Sequence, residues 1–399
     1  MKILVVCQYY WPEHFQVTEE CEELVKRGHK VTVLTGLPNY PSGRIPVEYR
    51  KGRNRKQLKG GVEIVRSTLI ERGSTPIQLA LNYHSFAFCA TRFITKLDDD
   101  FDVVYVHGLS PVMMIKPAAK YKQLYGAPLL VYCCDLWPES LKTILGNKLS
   151  VVIKLYQGIS KRLYRSADVI AVQSPAFFDY LETVHGVPKN DMVYLPQFAD
   201  DTYLNKRFNS KHDGINFLVM GNMGKAQDIP VVLYAAAMVP SNFDFCIHFV
   251  GEGSFYEQAK RLTDELKLSN RVIFHGRRPY EEMETFYDIA DACILTLNGN
   301  SWIGTTIPSR LQGYMAAGKP ILAAVNGGST AVIHDSQCGK AVKAGDIQGL
   351  ANLMQEFVSN PGFFSNAGEN GKRYFESHFT KARHMDKLEK LLLALAERK

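Results

Sequence analysis

The sequence predicts an α/β protein made of two facing Rossmann-like domains with parallel sheets, closed by a C-terminal amphipathic helix. Three observations predict it. At 399 residues the chain is too long for one ordinary core. It opens as strand, helix and strand at βαβ spacing. After a polar linker the same alternation starts again.

The opening "MKILVVCQYYWPEHFQVTEECEELVKRGHKVTVLTG" reads as a buried strand, a loop with Pro12, an amphipathic helix ending in "KRGH", and a second strand. Apolar strands follow at "VEIVRS", "FDVVYVHG", "PLLVYCCD" and "ADVIAVQS", each separated by a helix-length segment. The pattern breaks at "YLPQFADDTYLNKRFNSKHDG". It restarts with "INFLVMGNMGKAQDIPVVLYAAAMVP" and continues through "FDFCIHFVGEG", "NRVIFHGRR", "ADACILTLN" and "KPILAAVNGG". The tail "KARHMDKLEKLLLALAERK" is a strongly amphipathic helix. The expected domains are 1–200, 201–375, and a helical segment 376–399 returning toward the first domain.

Composition narrows the class. Hydrophobic content of 46% and charged content of 22% are globular values, and a net charge of +7 suits phosphate-bearing ligands without demanding nucleic acid. The eight cysteines are scattered without a Cys-x-x-Cys pair, which favours reduced core thiols over a metal or redox centre. "MKILVVC" is too short an apolar run for an export signal, so a cytoplasmic location is expected. Residues 73–91 carry no formal charge, but Gln78, Asn82, His84 and Ser85 argue against a membrane span. Six basic residues and no acid lie between Arg50 and Lys59. They read either as a solvated loop or as a contact with an anionic membrane, with the apolar 77–93 segment inserting beside it.

In open α/β sheets ligands bind beyond the C-terminal strand ends, so chemistry is expected in those loops. "VMGNMGKAQ" places Gly221, Asn222, Gly224 and Lys225 there; "FVGEGSF" places Gly251 and Glu252; "IFHGRRPYEEM" places Arg277 and Arg278. A further helix opens at "IPSRLQGYMAAGKP", with Pro308 in its first turn, Ser309 and Arg310 beside free backbone N–H groups, and Gly318 as a left-handed cap. Close packing of its small residues explains that helix alone. Together, the four cations Lys225, Arg277, Arg278 and Arg310 beside Gly-rich loops suit a diphosphate. There is no Gly-x-x-x-x-Gly-Lys-Ser/Thr loop, no Gly-x-Gly-x-x-Gly after the first strand, and no cluster at metal-ligand spacing.

The order of "GNMGKAQDIPVVLYAA", "FVGEGSFYEQAKRL", "RVIFHGRRPYEEMETFYDIADACIL" and "IPSRLQGYMAAGKPILA" resembles that of retaining glycosyltransferases of the GT-B fold, family-4 type. "YYWPE", "TGLPNYPSG" and "DLWPESL" look like enzymes that build bacterial capsule, O-antigen or exopolysaccharide units. The resemblance spans essentially the whole chain. It implies a nucleotide-diphospho-sugar donor, most often uridine-based, in the C-terminal domain and a glycan or lipid-diphosphate-linked acceptor in the N-terminal one. Together with the basic 50–59 run and the apolar 77–93 segment it suggests work at the inner face of the cell membrane, and no cofactor or metal is required if protein cations neutralise the donor's diphosphate.

The sequence departs from the family pattern at four positions. Two family carboxylates fall at Thr305 and Gly313, and the family's Arg and Lys of the first C-domain loop fall at Asn222 and Gln227. Gln312 is then the candidate for the donor ribose, Thr305 or Thr306 for the donor sugar, and Lys225 and Arg310 for the leaving diphosphate. In the N-terminal half the resemblance puts His107 against the sugar, with a structural histidine as the equal alternative. Asp135 and Glu139 are candidates to orient the acceptor hydroxyl, or else cap the next helix. Trp137 is a candidate sugar platform or a buried aromatic, and Glu13 and His14 lie where an acceptor approaches. Two other classes fit the missing carboxylates: a non-catalytic GT-B partner protein, and a nucleotide-sugar epimerase.

Overall fold

The computed structural model describes residues 1–97, 100–141, 150–208, 214–300 and 302–398. It divides into two compact units, Met1–Leu195 with Met385–Lys399, and Pro196–His384.

The first unit is built on an eight-stranded sheet. Its strands are β1 (Lys2–Val6), β2 (Lys30–Thr35), β3 (Lys56–Lys59), β4 (Val62–Arg66), β5 (Val103–Gly108), β6 (Leu129–Cys133), β7 (Val169–Val172) and β8 (Met192–Tyr194). The order is β3-β4-β2-β1-β5-β6-β7-β8, parallel throughout except that β3 runs antiparallel to β4. The central strands β1, β5 and β6 are apolar runs such as "KILVV" and "LLVYC", as burial on both faces requires. Register is direct: Ile3 to Val6 pair with Val31 to Leu34 on one side and Val103 to Val106 on the other.

The second unit holds six parallel strands: β9 (Ile215–Met220), β10 (Phe245–Val250), β11 (Val272–Gly276), β12 (Ala292–Thr296), β13 (Ile321–Ala324) and β14 (Gly339–Val342). Their order is β11-β10-β9-β12-β13-β14. Phe217, Phe249, Ile294 and Leu322 from four of these strands share a core with Val232, Met354 and Phe357 from the covering helices.

Three strands have no counterpart in the sequence reading: β3, β8 and β14. All three sit at sheet edges. All three are short: "KQLK" and "GKAV" carry no apolar run, and "MVY" is apolar but only three residues long. The basic run at 50–59 is thus partly strand: Lys56–Lys59 closes one edge of the first sheet, and its lysines blunt that edge.

The C-terminal segment is two helices, Ala367–His378 and Lys381–Ala396. Met385, Leu388, Leu392 and Leu395 repeat at three- and four-residue spacing and enter the core of the first unit with Val17, Cys21 and Leu24. Arg27 clamps the helix through Glu389 at 2.7 Å and Asp386 at 2.9 Å, and His29 reaches Glu389 at 2.7 Å. Partial burial opposes ionisation of Glu389, yet its bonds to Arg27 and His29 hold the carboxyl below the usual range. All eight cysteines are free thiols. Among the described residues, no helix is long and apolar enough to cross a membrane.

Candidate active site

Three neighbouring strands of the second unit, β9, β10 and β11, end in glycines with left-handed backbone: Gly221 (φ 107°), Gly251 (φ 143°) and Gly276 (φ 67°). The turns lock together, with Gly221 N–H donating to Val250 O and Gly251 N–H to Gly276 O, both at 2.8 Å. A Cβ on Gly251 would lie 2.0 Å from the carbonyl oxygen of Gly221. Only glycine permits this approach. The result is a cleft of about 570 Å³ lined among others by Gly221, Asn222, Glu252, Gly253, Arg277 and Arg278.

The helix Ser309–Ala316 brings Arg310 to the same strand ends. Pro308 serves as its N-cap rather than a first-turn residue, in extended backbone at φ −78° and ψ 147°. The far end matches expectation. Gly318 is left-handed, with Gly318 N–H bonded to Met315 O and Lys319 N–H to Tyr314 O, a Schellman closure. Close packing of this helix comes partly from its neighbour. Gly368 and Gly371 of the helix Ala367–His378 sit where a Cβ would meet Gly318 O and Met315. The Tyr314 hydroxyl accepts from Met220 N–H at 2.8 Å, fixing the helix to the end of β9.

Arg310 Nη2 donates to Asn222 O at 3.0 Å. A Cβ placed on Gly221 would lie 3.5 Å from the same nitrogen. Desolvation lowers the guanidinium's pKa, with the Tyr314 hydroxyl opposing it. Among the described residues Arg310 has no carboxylate partner. A half-buried cation beside glycine turns is a chemistry that suits an anion.

The other donor-side candidates fall unevenly. Arg277 is exposed on the cleft wall, and Arg278 Nε donates to His275 O at 2.9 Å. Lys225 is exposed in the short turn Lys225–Gln227, outside the cleft lining. Asn222 and Gln227, which replace the family's cations, bond to each other at 3.3 Å, and Gly224 N–H also donates to Gln227 Oε1 at 3.0 Å. An uncharged clasp thus shapes the loop. Gln312 is buried, and its amide donates to Gln197 O at 2.7 Å, so that group is committed inside the unit. Thr305 Oγ1 donates to Trp302 O, Thr306 O accepts from Ser329 Oγ, and Ser309 is exposed at the helix start. A Cβ on Gly313 would stand 3.1 Å from the Tyr287 hydroxyl. A larger side chain there would need that hydroxyl to shift.

In the first unit, His107 at the end of β5 is buried. Nδ1 lies 3.0 Å from Glu20 Oε2 and 3.2 Å from the Tyr105 hydroxyl, and Nε2 lies 3.6 Å from Cys134 Sγ. Both ring nitrogens have protein partners, the arrangement of a structural histidine. Glu20 was readable as a polar residue in the buried stripe Val17, Cys21 and Leu24 of the helix Gln16–Lys26, and the sequence reading missed it.

Asp135 follows β6 and accepts from Ser110 Oγ. Burial raises its pKa, with the bonds from Ser110 and Ser140 acting against that. Glu139 accepts from the Tyr180 hydroxyl at 3.2 Å. Glu13 is buried and accepts Asn39 N–H and Tyr40 N–H at 2.7 and 2.6 Å, so it organises the loop after β2. His14 is exposed. Trp137 is buried edge-to-face against Tyr83 and Tyr156, which leaves it a wall rather than an open platform. Among the described residues, no group of three or more His, Cys, Asp or Glu side chains is placed to hold a metal ion.

Two α/β units with parallel sheets, one with a glycine-walled cleft at its strand ends, are the GT-B arrangement. Residues 14–197 match the family model of the glycosyl transferase 4-like domain and residues 201–374 that of glycosyl transferases group 1, so the chain belongs to the group 1 glycosyltransferases with a 4-like first domain. It is 23% identical over 417 aligned residues to O-antigen chain mannosyltransferase C of Escherichia coli, covering 100% of both chains. The fold is similar to that of sucrose-phosphate synthase from Thermosynechococcus elongatus, with a TM-score of 0.75 at 16% identity and 100% of both chains covered. It is also similar to Anabaena Alr3699/HepE solved in complex with UDP, with a TM-score of 0.71 at 14% identity, covering 99% of this chain and 100% of the other.

Proposed function

We propose that this glycosyltransferase moves a sugar, with retention, from a nucleoside-diphosphate donor to a glycan or lipid-linked acceptor in bacterial surface polysaccharide assembly. The observation that carries the donor side is Arg310: a desolvated cation with no carboxylate partner among the described residues, held against the glycine turn of β9. The donor's base and ribose belong in the cleft beside Glu252 and Arg277, and its diphosphate between Arg310 and the N-terminus of the helix Ser309–Ala316. Lys225 adds charge from the loop above.

Uridine is the first reading of the nucleotide, supported by the neighbour solved with UDP. The likeness to a mannosyltransferase makes GDP-mannose the second. O-antigen assembly as the setting rests on that same relative.

Chemically, a departing diphosphate must have its charge met where the glycosidic bond breaks. Preorganised N–H groups and a guanidinium do this without reorganisation. In retention by front-side substitution the leaving phosphate oxygen takes the acceptor's proton, and no enzyme nucleophile is needed. Arg310 and Lys225 then act on the leaving group. Asp135 orients the acceptor, and His107 holds the wall of the sugar site. Glu13, His14, Trp137 and Glu139 belong to the acceptor side through the loops they support. Donor charge met by protein groups predicts activity that persists in EDTA.

The test is incubation of the purified chain with UDP-glucose, UDP-N-acetylglucosamine, UDP-galactose and GDP-mannose, with and without lipid-linked glycan acceptors, followed by NMR. An α-linked product from an α-donor supports the proposal. An inverted product contradicts retention, an isomerised donor without acceptor identifies an epimerase, and no turnover of any donor points to a non-catalytic partner.

A further inference from the structure

The second unit has a further cleft at the opposite end of its sheet from the donor site. Asp291 and Pro320 on its wall stand just before β12 and β13, so it opens at the N-terminal ends of those strands. Its volume is about 520 Å³, close to the 570 Å³ of the donor cleft. Among the described residues four cations line it: Lys206, Arg207, Lys319 and Lys372.

Lys206 is paired with Glu284; the other three make no ion pair among the described residues. Lys319 is 6% exposed. Its ammonium donates to Ala290 O at 2.6 Å and lies 5.5 Å from the centre of the Phe208 ring. Lys372 Nζ donates to Leu204 O at 2.9 Å and to Lys206 O, and Arg207 is exposed. Backbone carbonyls and an aromatic face hold the two lysines in place without neutralising them.

The three charges also feel one another. Burial lowers the pKa of Lys319, and Lys372 adds to that against Cys293, Asp291 and Asp288. Burial likewise lowers the pKa of Lys372, with Arg207 adding to it against Glu369 and Glu376. Cations that repel one another in a desolvated cleft cost stability until an anion enters.

Two acids share the wall. Asp291 Oδ2 accepts Asn216 N–H at 2.7 Å, and Glu369 is exposed in the first turn of the helix Ala367–His378. That helix starts at the cleft, with Gly368 and Glu369 lining it. Its N-cap Asn366 makes no side-chain cap hydrogen bond, so the positive end of the dipole adds to the field of the cations.

We propose that this cleft binds a small phosphate-bearing molecule, its phosphate between Arg207, Lys372 and the start of the helix Ala367–His378. It is a second anion site within the unit and does not depend on the donor reading. An effector role follows from how the two clefts are joined. Lys319 N–H closes the helix Ser309–Ala316 on Tyr314 O, and the other end of that helix carries Arg310. One element about 12 Å long therefore spans from cleft to cleft.

The test is calorimetric titration of the full chain with inorganic pyrophosphate, glucose 1-phosphate and sulfate at one ionic strength. Both phosphates should bind at least tenfold tighter than sulfate. The tighter of the two assigns the source: glucose 1-phosphate if the wall of Phe208, Pro320 and Pro361 holds a sugar, pyrophosphate if charge alone decides. Arg207→Gln should weaken binding by about tenfold, one lost charge-assisted contact, and its exposed side chain makes it safe for the fold. Lys372→Met is the second variant. Arg310→Ala should leave this binding in place.

Binding no tighter than that of sulfate overturns the proposal, as does wild-type affinity in both Arg207→Gln and Lys372→Met. So does binding that Arg310→Ala abolishes, because the anion would then sit in the donor cleft. For the effector role, UDP and GDP are titrated with and without the saturating phosphate ligand. A change of threefold or more that Arg207→Gln removes is expected. Unchanged nucleotide affinity overturns that role, and so does a change that persists in Arg207→Gln, which is competition at the donor cleft. Phosphate bound here with no nucleotide bound at all would sink the donor assignment and the effector role and leave the site standing.

Discussion

At the residue scale, the donor cleft rests on positions where one side chain alone fits. Gly251 has φ 143° and a forbidden Cβ approach of 2.0 Å to Gly221 O, so Gly251→Ala should cost about 2–3 kcal/mol and disturb the cleft. Chemical denaturation monitored with nucleotide binding checks this; a change below about 0.5 kcal/mol would show that the turns flex.

A second residue-scale prediction concerns His185, which is buried with Nε2 at 3.1 Å from Trp137 O. Burial lowers its pKa from the usual 6.5 to about 4, with the Trp137 carbonyl opposing. The unfolded state therefore binds more protons between these values, and stability falls as pH drops below about 6.5. By pH 5 the loss from this group is about 2 kcal/mol. Denaturation midpoints of wild type and His185→Gln between pH 7 and 5 should diverge by that amount, and parallel curves would contradict it. Neither the burial of His185 nor the clasp of Asn222 with Gln227 was legible in the sequence, because each depends on which chain segments meet in space. The left-handed turn at Gly318 was legible, because a Gly followed two residues later by Pro has a local meaning.

At the element scale, eleven of the fourteen described strands were read from the sequence, and the three that were not are all edges. The physics that hides an edge strand is the physics that keeps it harmless: few apolar residues, lysines, short length. The helix Ser309–Ala316 was legible in extent, but one residue off at its start, since Pro fits both N-cap and N1 geometry. The final helix was legible as amphipathic, and its apolar face fills the core of the first unit. Leu388→Ala should accordingly destabilise that unit by about 2–5 kcal/mol, visible as a lower melting transition. An unchanged transition would show that the helix contributes little to the core. Thr305, Gly313 and Gln312 mark the limit of reading by position. Gln312 looked free for a ribose and is spent on Gln197 O, while Gly313 faces the Tyr287 hydroxyl.

At the scale of the whole molecule, each unit holds near its strand ends an arginine with no ion pair among the described residues. Arg310 stands at the strand ends of one, and Arg72 at the strand ends of the other. If the donor's charge is met by Arg310, Lys225 and the helix N-terminus, 5 mM EDTA should leave more than half of the transfer rate. A rate lost on chelation and restored by Mg²⁺ or Mn²⁺ would assign part of that charge to a metal.

The most direct measurement is thermal unfolding of wild type and Arg310→Ala against UDP, GDP, dTDP, CMP and ADP. A nucleotide at about 100 times its dissociation constant adds about 2.7 kcal/mol to the unit that binds it. The account predicts that one nucleoside diphosphate, UDP first and GDP second, stabilises the wild type selectively and that Arg310→Ala loses most of that gain while folding normally. Stabilisation that is equal in wild type and Arg310→Ala, or absent with all five nucleotides, would contradict it.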